Sequence, residues 1–85
     1  MIKEFKIQDW MTSKLRLSGN NLVMFALMWK MSEQGTKTVK IDYKEITIAM
    51  SVSDPTVYNC LGQLVKRGLL EDRGDRLYAI SAKCS

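Results

Sequence analysis

The residues best suited to chemistry lie between Ser53 and Lys66. Thr56, Tyr58, Asn59, Gln63 and Lys66 carry hydroxyl, amide and ammonium groups. At about 100° per residue they gather on one side of a helix, with Pro55 among them and Thr56 at the edge. Val57, Leu61, Leu64 and Val65 fall on the other side, beside Cys60. Amides of this kind pair with adenine edges in the DNA major groove. Thr56 and Tyr58 reach phosphate or base, and Lys66 and Arg67 suit the backbone. Pro55 and Gly62 permit close approach. The alternative is that Asn, Gln and Lys on an exposed helix are simply solvated.

Other chemistry finds little support. The sequence has no histidine, which removes His-based acid–base catalysis, His-containing triads and His metal sites. It has no Gly-rich phosphate loop. Cys60 reads as core rather than nucleophile. Glu71, Asp72 and Asp75 read as a charged hairpin rather than a cation site. No cofactor, no metal and no enzymatic activity are expected.

The elements that position these groups follow from local signals. Ser53 is the expected N-cap, its hydroxyl accepting from a backbone N–H of the first turn. Pro55 fits that first turn. Gly68 suits a left-handed position just past the helix end. Before the helix, Asp42-Tyr43-Lys44-Glu45 matches a capping box and opens a helix through Ile46, Ala49 and Met50. After it, Leu69-Leu70, the turn Arg73-Gly74-Asp75 and Arg76–Ile80 predict a β-hairpin. Arg73 and Arg76 flank its tip among three acids, so contact with DNA and internal charge pairing both remain open there. Lys37, Lys40 and Lys44 form a second basic cluster, and Lys44 is a plausible backbone contact.

Upstream, residues 2–7 alternate weakly and predict an arm or edge strand. Asp9 is expected to cap a short helix through Trp10, Met11 and Leu15. Ser18-Gly19-Asn20-Asn21 opens a helix running to about Gln34 and stopping at Gly35. This helix is apolar on two sides, which implies burial on two sides. Leu22, Phe25, Ala26 and Trp29 form one face. Met24, Leu27, Met28 and Met31 form the other, to be covered either by Trp10, Leu15 and Leu17 folding back or by a second subunit. Thr36 to Ile41 is β-branched and predicts a short strand.

The expected fold class is mainly α, of the α+β kind. It comprises three principal helices, a short strand and a C-terminal hairpin, in one domain over residues 1–85. Residues 1–17 form an N-terminal arm or short helix, and 81–85 a loose tail. The 85 residues are 46% hydrophobic, which argues against disorder. The net charge of +4 permits a nucleic-acid partner without demanding one. Residues 1–50 hold eight Lys/Arg against five acids, and residues 51–85 five against four. The half carrying the candidate site is therefore nearly neutral. The start of the chain shows no signal-peptide pattern. The longest apolar run, Leu22 to Trp29, is too short to span a bilayer. Cys60 and Cys84 make no disulfide framework, so a reduced, cytoplasmic chain is expected.

Ile46-Thr47-Ile48-Ala49-Met50-Ser51-Val52-Ser53, Pro55-Thr56-Val57, Leu61, Leu64 and Gly68-Leu69-Leu70 resemble the winged helix-turn-helix of MarR-like bacterial regulators. Trp10-Met11, Leu15 to Asn20, Phe25-Ala26 and Trp29 resemble the N-terminal winged-helix domain of phage and mobile-element replication initiators. The resemblance spans roughly residues 5–81. It implies a small DNA-binding module, concerned with transcription regulation or DNA replication, with double-stranded DNA as partner. Winged helices also serve as protein-interaction modules, which is the competing expectation. Two residues depart from the pattern. Thr47 stands where a small Ala is usual, and its hydroxyl can bond back to the preceding turn. Ser51 stands where the turn normally has Gly, at a position that often needs φ > 0. Either the turn differs here or it carries strain.

Overall fold

The computed structural model describes residues 7–81. Within them the order is α1 (Asp9–Ser13), α2 (Gly19–Met31), β1 (Val39–Lys40), α3 (Tyr43–Met50), α4 (Asp54–Lys66), β2 (Leu70–Asp72) and β3 (Leu77–Ile80). The described residues make a small α+β structure of four helices and a three-stranded antiparallel sheet, in the order β1-β3-β2. Leu70 pairs with Ile80 and Asp72 with Tyr78 in the hairpin, while Val39 of β1 pairs with Tyr78 from the other side. The expected N-terminal strand lies, apart from the exposed Ile7, outside the described residues. So does the tail beyond Ser81, with Cys84.

The core forms around α2. Met24 to Met28 are five consecutive residues at no more than 1% exposure. Burial on two sides is therefore observed, and the N-terminal segment folds back onto α2 as expected, but Trp10 lies on the aromatic face rather than on the methionine face. Trp10 of α1 packs edge-on against Phe25 and Trp29, at centroid distances of 5.9 and 4.8 Å. The N-terminal helix thus covers the aromatic face. The methionine face turns toward α4: Asn21, two turns before Met28 on the same line, donates from its amide to Gln63 of α4. Met24, Leu27 and Met28 have no exposed surface. They are core, so a second subunit, the alternative cover, would find none of these three exposed, and Met31 is half-buried at the end of the same face. Each large side chain so enclosed contributes roughly 1.5–3 kcal/mol of burial free energy.

α1 differs from expectation. Gln8, not Asp9, occupies the N-cap position, and the helix ends at Ser13, short of Leu15. The Asp9 carbonyl instead accepts from the hydroxyls of Thr12 and Ser13. α2 ends at Met31 rather than near Gln34. The cause is Ser32, fully buried. Its hydroxyl donates to the Trp29 carbonyl and accepts from the Gly35 N–H. Its own carbonyl accepts from the N–H groups of Thr36 and Lys37. Glu33, Gln34 and Gly35 all take positive φ, so the chain reverses in a compact turn. That turn consumes Thr36 to Thr38, and β1 is correspondingly shorter than the strand expected from Thr36.

Each of the four helices is followed, within three residues of its last, by a residue in the left-handed region: Arg16, Glu33, Ser51 and Gly68. After α4, the Gly68 N–H donates to Val65 and the Leu69 N–H to Leu64. This is the Schellman pair of bonds. The same pair follows α3, from Ser51 to Ile48 and from Val52 to Thr47. It follows α2 as well, from Glu33 to Lys30 and from Gln34 to Trp29. Only one of the four positions is glycine.

Candidate nucleic-acid interface

α3, the turn Ser51-Val52-Ser53 and α4 place the candidate residues. Asp42 caps α3 as expected, its carboxylate accepting from the N–H groups of Lys44 and Glu45 at 3.1 and 3.3 Å. Thr47 bonds back to the Lys44 carbonyl at 2.9 Å, so the departure from Ala is accommodated within the helix. Ser51 is in the left-handed region, at φ 56° and ψ 44°. The turn keeps the geometry that usually goes to glycine, with a serine in it. A non-glycine residue there costs about 1–2 kcal/mol.

Ser53 holds the N-cap position of α4, but its side chain makes no bond to a helix N–H. That expectation is corrected: its hydroxyl lies 3.2 Å from the Thr56 hydroxyl instead. The two hydroxyls satisfy each other at the rim of the helix start. Pro55 sits in the first turn as expected.

Val57, Cys60, Leu61 and Leu64 are buried, and burial raises the Cys60 thiol pKa above its ordinary value. Opposite them, Pro55, Tyr58, Asn59, Gly62, Gln63 and Lys66 are all exposed. Their spacing runs along one continuous line of the helix. The polar face expected from sequence therefore exists as a surface, and no element of the described chain covers it.

The residues on that face differ in freedom. Lys66 and Asn59 are exposed, and among the described residues their side chains make no hydrogen bond or ion pair. Gln63 is tethered: its amide oxygen accepts from Asn21 Nδ2 at 2.6 Å. Tyr58 is 58% exposed, yet its ring packs on Tyr43 of α3 at a centroid distance of 4.5 Å. Gly62 lies in open space, where an added Cβ meets nothing within 4 Å. Arg67, just past the helix, donates to the Leu15 carbonyl and fastens α4 to the segment after α1.

At the hairpin, Arg73 is paired with Glu71 at 2.8 Å. Asp72 accepts from the Gly74 N–H at 2.9 Å and shapes the turn. Arg76 makes no ion pair among the described residues. Its carbonyl accepts from Ile41 at 2.8 Å, and its guanidinium lies close enough to Tyr43 to oppose the rise of that hydroxyl's pKa. Of the basic cluster, Lys37 is paired with Glu33 at 2.8 Å, while Lys40 and Lys44 are exposed and have no ion-pair partner among the described residues.

Sequence reasoning missed the tyrosine group. Tyr43, Tyr58 and Tyr78 come from α3, α4 and β3, and Tyr58 lies close enough to the other two to raise their pKa values. Burial, and then the neighbouring phenols, raise the Tyr43 pKa. Burial, then Asp72 and Tyr58, raise that of Tyr78. No periodicity within one element links the three. The roles of Asn21 and Arg67 as ties were missed for the same reason.

Among the described residues, no group of three or more His, Cys, Asp or Glu is placed to hold a metal ion, and no helix is long and apolar enough to cross a membrane. Compared with protein-family models, curated proteins and solved structures, the chain matches none.

Proposed function

We propose that the chain is a winged helix-turn-helix domain that binds double-stranded DNA without catalysis, as a transcription regulator or replication-initiator-like module. α3 and α4 would be the helix pair, α4 the recognition helix, and the β2–β3 hairpin the wing. The observation that carries this reading is the uncovered outer face of α4. It presents Asn59, Gln63 and Lys66 in one line, with α3 and its exposed Lys44 beside it. A helix entering the major groove needs such a face free, and needs donors and acceptors on it. The wing contributes little: Arg73 is held by Glu71, and the surrounding acids oppose phosphate approach. Arg76 is its available cation.

The test is an anisotropy titration of the chain against pooled genomic duplex fragments at low salt. Binding that weakens as salt rises is expected. No binding by monomer or dimer would refute the reading.

A second reading has its own observation. Ile48 on α3 and Tyr58 on α4 are each 58% exposed, and both flank the turn between these helices. Large exposed apolar side chains there suit a protein partner. Recovery of a defined protein partner, with no DNA signal at low salt, would favour that reading.

A further inference from the structure

The outer face of α4 carries a free amide and a gap, one turn apart. Asn59 is exposed and its side chain has no partner among the described residues, unlike Gln63, whose oxygen is occupied by Asn21. Gly62 is exposed in the helix interior. Glycine there is less stable than alanine. The chain itself gives no reason for it: a Cβ meets nothing within 4 Å, and the backbone is not left-handed. At about 100° per residue, Gly62 falls near the middle of the exposed face, about 20° from Pro55 on the Tyr58 side. It therefore marks the point where a surface docked on α4 comes closest to the helix axis.

An amide with oxygen and nitrogen both free matches the adenine edge, donating to N7 and accepting from the N6 amino group. Thymine places its C5-methyl in the same groove. A bare Cα leaves room for that methyl where a Cβ would crowd it. We infer that α4 selects A·T base pairs, with the Asn59 amide on adenine and the gap at Gly62 receiving the thymine methyl. This rests on the proposed binding of double-stranded DNA by α4.

The test compares short alternating A·T, G·C and inosine·C duplexes by anisotropy at one salt concentration, using the full chain. Inosine·C has the major-groove edge of G·C, but like A·T it lacks the guanine amino group in the minor groove. The A·T duplex is expected to bind about tenfold tighter than both others. Gly62→Ala should raise Tm by about 4 °C, from its helix propensity. It should nevertheless bind the A·T duplex about tenfold more weakly, and replacing thymine by deoxyuridine should restore most of that loss. Equal affinity for the three duplexes overturns the inference and leaves DNA binding standing. The same follows if inosine·C behaves like A·T, or if Gly62→Ala binds A·T as well as the parent chain. Absence of binding to every duplex at low salt removes the DNA reading and the inference together.

Discussion

Ser51 is the residue at which backbone geometry and side-chain type conflict. It closes α3 with the same two hydrogen bonds that Gly68 uses to close α4, at the same left-handed φ. Glycine reaches that conformation without a Cβ penalty, at the cost of a more flexible unfolded chain. Ser51→Gly should therefore stabilise the fold by about 0.5–1 kcal/mol, while Ser51→Val should destabilise it by more than that gain, because a β-branched residue is poorly tolerated there. Urea denaturation of the three proteins measures both. A glycine variant less stable than the parent would show that the serine stabilises the turn in some other way. Residues on the outer face of α4 divide by freedom rather than by type. Asn59→Ala should relax sequence preference, and Lys66→Ala should weaken all sequences and lower the salt slope by about one. Gln63→Ala should also relax preference, but by less than Asn59→Ala, since its oxygen is already held by Asn21. Parallel losses on every sequence for all three variants would contradict this division.

At the scale of elements, α3, α4 and the hairpin meet at the tyrosines. Tyr43 and Tyr78 both have pKa values raised by burial above the ordinary 10.0. For a phenol, a raised folded pKa means that the folded state holds its proton more tightly than the unfolded state. The resulting stability is complete below the unfolded value and is lost as pH climbs past it. Denaturation midpoints should thus be level with respect to these groups at neutral pH and fall above about pH 10. Tyr43→Phe should reduce that fall. A midpoint unchanged across this range would show that the phenols ionise alike in both states. The expected boundaries of α3, α4 and the hairpin agree closely with the observed ones, since each is marked by a local signal: Asp42 as cap, Pro55 in a first turn, Gly68 after a last one. The end of α2 does not agree. Its apolar pattern and Gly35 both suggest a helix to Gln34, and the buried hydroxyl of Ser32 ends it earlier.

For the whole molecule, the decisive fact is that α2 is enclosed by its own chain. Trp10 covers its aromatic side, and the methionine side meets the α4 side of the core. With Met24, Leu27 and Met28 already at zero exposure, a second copy finds on α2 only the half-buried Leu22, Val23, Trp29 and Met31 as apolar surface. The chain should sediment in the absence of DNA near its own 9.7 kDa. A stable species of twice that mass at micromolar concentration would require an interface elsewhere. Among the described residues the exposed large apolar groups are Ile7, Ile48 and Tyr58.

The sequence by itself determined the helices, the hairpin and which side of α4 is polar. Each of these follows from interactions among residues a few positions apart: caps, turn glycines and a helical repeat of apolar side chains. It also marked Ser51 as a position under conflict, because residue type alone predicts that conflict. What covers each face of α2 was decided only by tertiary structure, since both faces are apolar. The same holds for the loss of Gln63's oxygen to Asn21, for the pairing of Tyr58 with Tyr43, and for the open space around Gly62. Those outcomes depend on which distant segments pack together, and packing is set by the shape and burial of the whole chain rather than by spacing along it.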